Sequence, residues 1–132
     1  MPLDRSIISA HGAPAALGPY SHAVRSGDLV FLSGQLPVDA ESGELVEGGP
    51  GAQTTRCLEN LAVVAAAAGG RLEDVVRCGI YVTDIKTFAE VNEAYAAFFP
   101  AAPPARSTIG VAALPKGADV EIDAILAVDA AS

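Results

Sequence analysis

At 132 residues, 51% of them apolar and 18% charged, the chain is the right size for one core and small for two. Sixteen acidic residues against eight basic ones give a formal net charge of −8, and no two basic residues are adjacent, so the phosphate-neutralising patch that nucleic-acid binding needs is missing. So apolar a composition with so little charge points to surface buried between subunits.

Along the chain, Ser6 to Ile8 reads as a short edge strand and Gly12 to Pro19 as an irregular loop. Ser21 to Arg25, a Ser26-Gly27-Asp28 turn and Leu29 to Gln35 read as a hairpin. Its second strand begins apolar on both alternating faces, as in a strand covered on both sides. Pro37 ends it, and Asp39 to Pro50 is a polar loop. Gly51 to Ala68 carries Leu58, Leu61, Val64 and Ala68 at helical spacing, with Gly69-Gly70 as the stop. Val75 to Thr83 is a strand with Val76, Cys78, Ile80 and Val82 on one face. A second helix starts at an apparent capping box, Thr87-Phe88-Ala89-Glu90, carries an apolar stripe of Phe88, Val91, Tyr95 and Phe98, and closes at Pro100. After Pro103-Pro104, Arg106 to Leu114 and Asp119 to Val128 read as a last hairpin around Pro115-Lys116-Gly117-Ala118. Two helices cannot cover both faces of such a sheet, so the expected architecture is one two-layer α+β domain over residues 1–132. The uncovered face, with Glu121, Asp123, Ile125 and Ala127 on the last strand, is expected to meet a subunit or a ligand.

The run from Leu61 to Gly70 is too short to span a bilayer, and the opening residues MPLDRSIISAHGAP lack a basic region followed by an apolar stretch. A soluble cytoplasmic protein with reduced thiols is expected. Cys57 and Cys78 form no CxxC pair, and His11 and His22 supply no metal-binding spacing, so no metal and no cofactor is expected.

A few residues stand out chemically. Arg106, at the start of a strand, presents a planar fork that matches a carboxylate; it also reads as an ordinary strand-end arginine. Glu121 near an apolar face suits acid/base work, and equally an ion pair with Arg106 across the hairpin. Tyr20 can relay a proton or simply pack. Gly34, between Ser33 and Gln35, marks either a plain bulge or a close backbone approach. Asn92 is the polar member of the Phe88–Tyr95 helix face and needs a partner if buried.

Taken together, these elements resemble the RidA/YjgF family of enamine/imine deaminases over nearly the whole chain. The resemblance is carried by Gly18-Pro19-Tyr20-Ser21, by Leu32-Ser33-Gly34-Gln35-Leu36-Pro37, by Phe88-Ala89-Glu90-Val91-Asn92-Glu93-Ala94-Tyr95 and by Pro104-Ala105-Arg106-Ser107-Thr108, continued by Leu114-Pro115 and Val120-Glu121-Ile122. It implies a chorismate-mutase-like fold, a mixed sheet with two helices on one face, assembled as a homotrimeric barrel with sites at the subunit junctions. It implies hydrolysis of 2-aminoacrylate and other 2-imino acids to 2-keto acids and ammonia. On that pattern Arg106 binds the substrate carboxylate, Glu121 positions water and Tyr20 completes the catalytic set, while Ser33, Gly34, Phe88, Asn92 and Thr108 line the pocket. Many members carry cysteine where Thr108 stands, so a thiol-dependent activity is not expected here. The competing readings are a non-catalytic binder of small carboxylates and an RNA-cleaving protein, the latter disfavoured by the charge.

Overall fold

The computed structural model describes residues 4–129. Six strands and two α-helices occur in the expected order: β1 (Ser6–Ile8), β2 (Ala23–Ser26), β3 (Leu29–Gln35), α1 (Pro50–Ala67), β4 (Val75–Val82), α2 (Phe88–Ala96), β5 (Ala105–Gly110) and β6 (Val120–Ala127). The strands make one mixed sheet in the order β1-β2-β3-β6-β4-β5, with both helices packed on one face. No helix among the described residues is long and apolar enough to cross a membrane.

The last two strands do not form the expected hairpin. β5 lies parallel to β4, and β6 is inserted between β3 and β4, antiparallel to both. A helix between two strands permits a parallel crossover, and α2 supplies it between β4 and β5. The apolar runs on either side of Pro115-Lys116-Gly117 look like a hairpin in sequence, but the segment between them carries the chain from the sheet edge back to its centre. That central place is why Val120, Ile122, Ala124 and Leu126 are all buried under the helices. β5 also stops early, at Gly110 rather than Leu114.

α1 begins at Pro50, where a missing N–H costs nothing, and buries Cys57, Leu58, Leu61, Val64 and Ala65. It ends at Ala67 with Ala68 as its cap, and the chain turns away at Gly69, whose φ of +86° suits glycine, with Gly70 N–H returning to the Ala65 carbonyl. The capping box expected at α2 does not form. Thr87 donates its hydroxyl to the Asp84 carbonyl, and Glu90 instead accepts from Gly51 N–H, 2.9 Å away, in the first turn of α1. A free N–H at another helix's positive end is a good partner for a carboxylate, and it ties the two helices together. α2 is also shorter than its apolar spacing suggests. It ends at Ala96, so Phe99 turns into the core and Phe98 is only partly buried; at its other end Phe88 is 42% exposed. A register shift between Val75 and Arg77 likewise buries Val75 and turns Val76 outward.

β3 is covered on one face only in the single chain. Val30 and Leu32 are buried under the helices, while Leu29 and Phe31 lie exposed on the other face, Phe31 at 46%. Two buried amides brace the chain beyond β3 and at the start of β6. Asn60 donates to the carbonyls of Leu36 and Val38, holding the segment after β3 against α1. Gln53 accepts from the backbone N–H groups of Asp119 and Val120, pinning β6 just before Glu121.

Candidate active site

The expected site residues fall into two groups, on opposite faces of the sheet. The first group lies on the face without helices. The β3–β6 register shifts between Leu32 and Gln35, and Gly34 in that irregularity comes against Glu121. A Cβ on Gly34 would stand 3.1 Å from Glu121 Cδ, so the carboxylate rests directly on backbone. The close approach explains this glycine, since its φ is not in the left-handed region. Ser33 donates its hydroxyl to the Ser21 carbonyl at 2.6 Å, fixing the bulge to the preceding loop. Tyr20 is 49% exposed, and its hydroxyl accepts from Leu17 N–H at 3.2 Å.

Tyr20, Ser33, Gly34 and Glu121 line one open cavity of about 580 Å³, whose apolar walls include Leu17 and Leu36. Glu121 has no hydrogen-bond donor among the described residues. Burial, and then the charge of Asp123, raise its pKa above the ordinary 4.5. Such a group both accepts and returns a proton more readily near neutrality than a solvated glutamate does.

The second group lies on the helix side of the sheet edge. Arg106 of β5 faces α2, donates to the Asn92 side-chain oxygen, and sets its guanidinium 4.7 Å from the Tyr95 ring centre and 5.5 Å from that of Phe88. Cation–π contacts of this kind contribute about 0.5–2 kcal/mol each and fix the plane of the fork. No carboxylate among the described residues pairs with it. Next to it on β5, the Thr108 hydroxyl is buried without a hydrogen-bond partner. The Cys78 thiol, which β4 places opposite Arg106, is pushed upward in pKa by burial.

An Arg106–Glu121 ion pair within one chain is therefore ruled out. Arg106 aligns with Cys78 on the helix side of β4, and Glu121 aligns with Tyr81 on the other side. The hairpin that would have made them neighbours does not exist, and β4 separates their strands. The structure also adds residues that sequence reading passed over. His22 accepts from Ala10 N–H through Nδ1 at 2.9 Å and donates from Nε2 to the Pro14 carbonyl at 2.8 Å, tying down the loop that carries Tyr20. Tyr81 and Asp123 line the cavity beside Glu121, bonded to each other at 2.9 Å. Strand alternation already places Asp123 on the same face as Glu121, without a role, and Tyr81 leaves its trace as the one polar-tipped side chain in the apolar run from Ile80 to Val82.

The endoribonuclease L-PSP family model matches residues 10–128. Protein DfrA of Myxococcus xanthus is 51% identical over 125 residues, which cover 93% of this chain and 95% of that protein. The 2-iminobutanoate/2-iminopropanoate deaminase of Bos taurus is 45% identical over 123 residues, covering 93% and 90%. Among solved structures, RidA from an Antarctic Psychrobacter superposes with a TM-score of 0.89 at 46% identity, covering 93% of this chain and 99% of that one. The E. coli protein TdcF, solved with bound serine, gives a TM-score of 0.89 at 38% identity, covering 94% and 99%.

Proposed function

The chain belongs to the endoribonuclease L-PSP family, the RidA/YjgF family, and from that premise we propose that it hydrolyses 2-imino acids and their enamine tautomers, 2-aminoacrylate among them, to 2-keto acids and ammonia. The observation that carries this reading is the combination of an anchored arginine with no counter-ion among the described residues and, in an open cavity, a carboxylate whose pKa is raised by burial. Arg106 is braced from behind by Asn92 and Tyr95, which leaves its fork for a substrate carboxylate.

The two groups lie on opposite faces of one chain, so the proposed site forms where the Arg106 edge of one subunit meets the Glu121 face of another. A homotrimer satisfies this and covers Leu29 and Phe31 at the same time. In such a site Arg106 orients the bound imine, and Phe88, Asn92 and Thr108 flank it from the same subunit. From the other subunit, Glu121 accepts a proton from water as the water oxygen bonds to the C=N carbon. The carbinolamine nitrogen then takes that proton from Glu121. The C–N bond breaks as the hydroxyl becomes C=O, its proton leaving with the ammonia. Tyr20 hydrogen-bonds the carboxylate or assists the transfer, while Ser33 and Gly34 present backbone to the departing nitrogen. The serine bound by TdcF, an amino group next to a carboxylate, has the polar ends such a site would grip.

A non-catalytic carboxylate binder would have no use for Glu121, since a second anion opposes the ligand's own charge. Cleavage of RNA, as the family's description suggests, sits poorly with a net charge of −8. The deciding measurement is ammonia and keto-acid release from imines generated in situ by an amino-acid oxidase. Release above the buffer rate is expected; its absence in the wild-type protein rejects the reaction.

A further inference from the structure

One cluster in the cavity plays no part in the proposed reaction. Tyr81 is the cross-strand neighbour of Glu121, yet its hydroxyl does not reach that carboxylate. It donates instead to Asp123 Oδ2 at 2.9 Å, while Asp123 Oδ1 accepts from Gly79 N–H at 3.0 Å. This arrangement requires glycine at 79. A Cβ there would stand 2.5 Å from Asp123 Oδ1 and 2.9 Å from the Tyr81 hydroxyl oxygen. The Tyr81 side chain is thus folded back along β4 over Gly79, within the wall of the cavity that Glu121 also lines. Asp123 accepts a hydrogen bond on each oxygen, which fixes its carboxylate in place.

We propose that Gly79, Tyr81 and Asp123 act as positioning residues, holding the Asp123 carboxylate beside Glu121 and the tyrosine ring in the cavity wall, and thereby setting the pH at which Glu121 exchanges its proton. The proposal rests on the reaction proposed for this site, in which that exchange is the working step. The rise in the pKa of Glu121, with burial as the first cause and Asp123 as the second, agrees with it. Tyr81, whose own pKa is raised chiefly by its bond to Asp123, remains a neutral donor through the working range. The other titratable groups facing Glu121 are Tyr20 and His22 across the cavity, while Arg77 lies beyond Gly79 on β4 and Cys57 of α1 lies on the helix-covered side of the sheet. None of these forms a hydrogen bond with the Glu121 carboxylate among the described residues.

The test is a carboxyl-carbon NMR titration of Glu121 in the full-length protein without substrate, with Glu121→Gln assigning the resonance. Asp123→Asn keeps the shape and removes the charge. It is expected to move the Glu121 midpoint down by roughly half a pH unit or more. The acidic limb of the imine-hydrolysis profile is expected to move with it. Tyr81→Phe keeps the charge and removes one donor, so the midpoint is expected to stay at or above that of the wild type. If Asp123→Asn does not fold, Asp123→Ser, a smaller side chain that still offers Gly79 an acceptor, carries the same expectation. An unmoved midpoint in the asparagine or serine variant overturns the proposal. So does an equal fall in Tyr81→Phe, since the effect would then come from local packing. Failure of the wild type to hydrolyse imines would reject the reaction and leave the titration to decide the charge effect on its own.

Discussion

The Arg106 edge and the Glu121 face treat charge in opposite ways. Arg106 is surrounded by groups that favour its cation: two aromatic faces and an amide oxygen. Glu121 is surrounded by what disfavours its anion: a backbone pressed against it, partial burial and a neighbouring carboxylate. One region is built to hold a charge still and the other to let a proton come and go. A binding function needs only the first; a hydrolytic one needs both, and needs them on the same substrate.

The sharpest test of that contrast is Glu121→Gln. It should lower imine hydrolysis by ~10²-fold or more while leaving the affinity for unreactive carboxylate analogues unchanged or improved. Turnover at the wild-type rate would transfer the role to Tyr20 or to water held by backbone. Co-expressing this variant with Arg106→Ala, each tagged, tests the geometry. In randomly mixed oligomers about a quarter of shared sites would draw both intact residues, and activity should return to that level. A site contained in one chain would give no recovery.

Arg106→Lys keeps the charge and loses the fork. Calorimetry with a 2-keto acid should show affinity weakened by about tenfold, since a point charge does not replace a bidentate contact. An unchanged affinity would move the carboxylate site away from β5. Assembly comes next. Phe31→Asp alters a side chain that is 46% exposed in the single chain, so the subunit should stay folded. Light scattering should then find a smaller species than the trimer expected of the wild type, and hydrolysis should fall with it. A variant that assembles normally would show that this face is not the interface.

The smallest effect is on stability. The raised pKa of Glu121 means that the folded state holds this proton more tightly than the unfolded chain does. Its stabilising contribution is complete below the ordinary value of 4.5 and is lost as pH rises through the folded value. Relative to Glu121→Gln, the wild type should therefore lose ~1–2 °C in melting temperature between acid and neutral pH, a modest shift because the group is partly solvated. No pH-dependent difference between the two proteins would mean that Glu121 carries no such penalty.

Residue pattern alone settled a good deal of this molecule. Helical spacing of Leu58, Leu61 and Val64, the Gly69-Gly70 stop and the alternation of Val120, Ile122, Ala124 and Leu126 each express local periodicity, so the elements and the α+β class came from the chain itself. The candidate site residues were legible through their order and spacing as a family pattern. What periodicity cannot carry is which strands become neighbours, because strand pairing is decided by the burial available to the whole sheet. β6 took the centre, β5 the edge beside β4, and that choice alone put Arg106 and Glu121 on opposite faces. It also brought Gly79, Tyr81 and Asp123 together from two strands, with no local signal linking them. Phe99 replaced Phe98 in the core for a similar reason: where a helix ends depends on what its last turn packs against, and that end sets the phase of every residue beyond it.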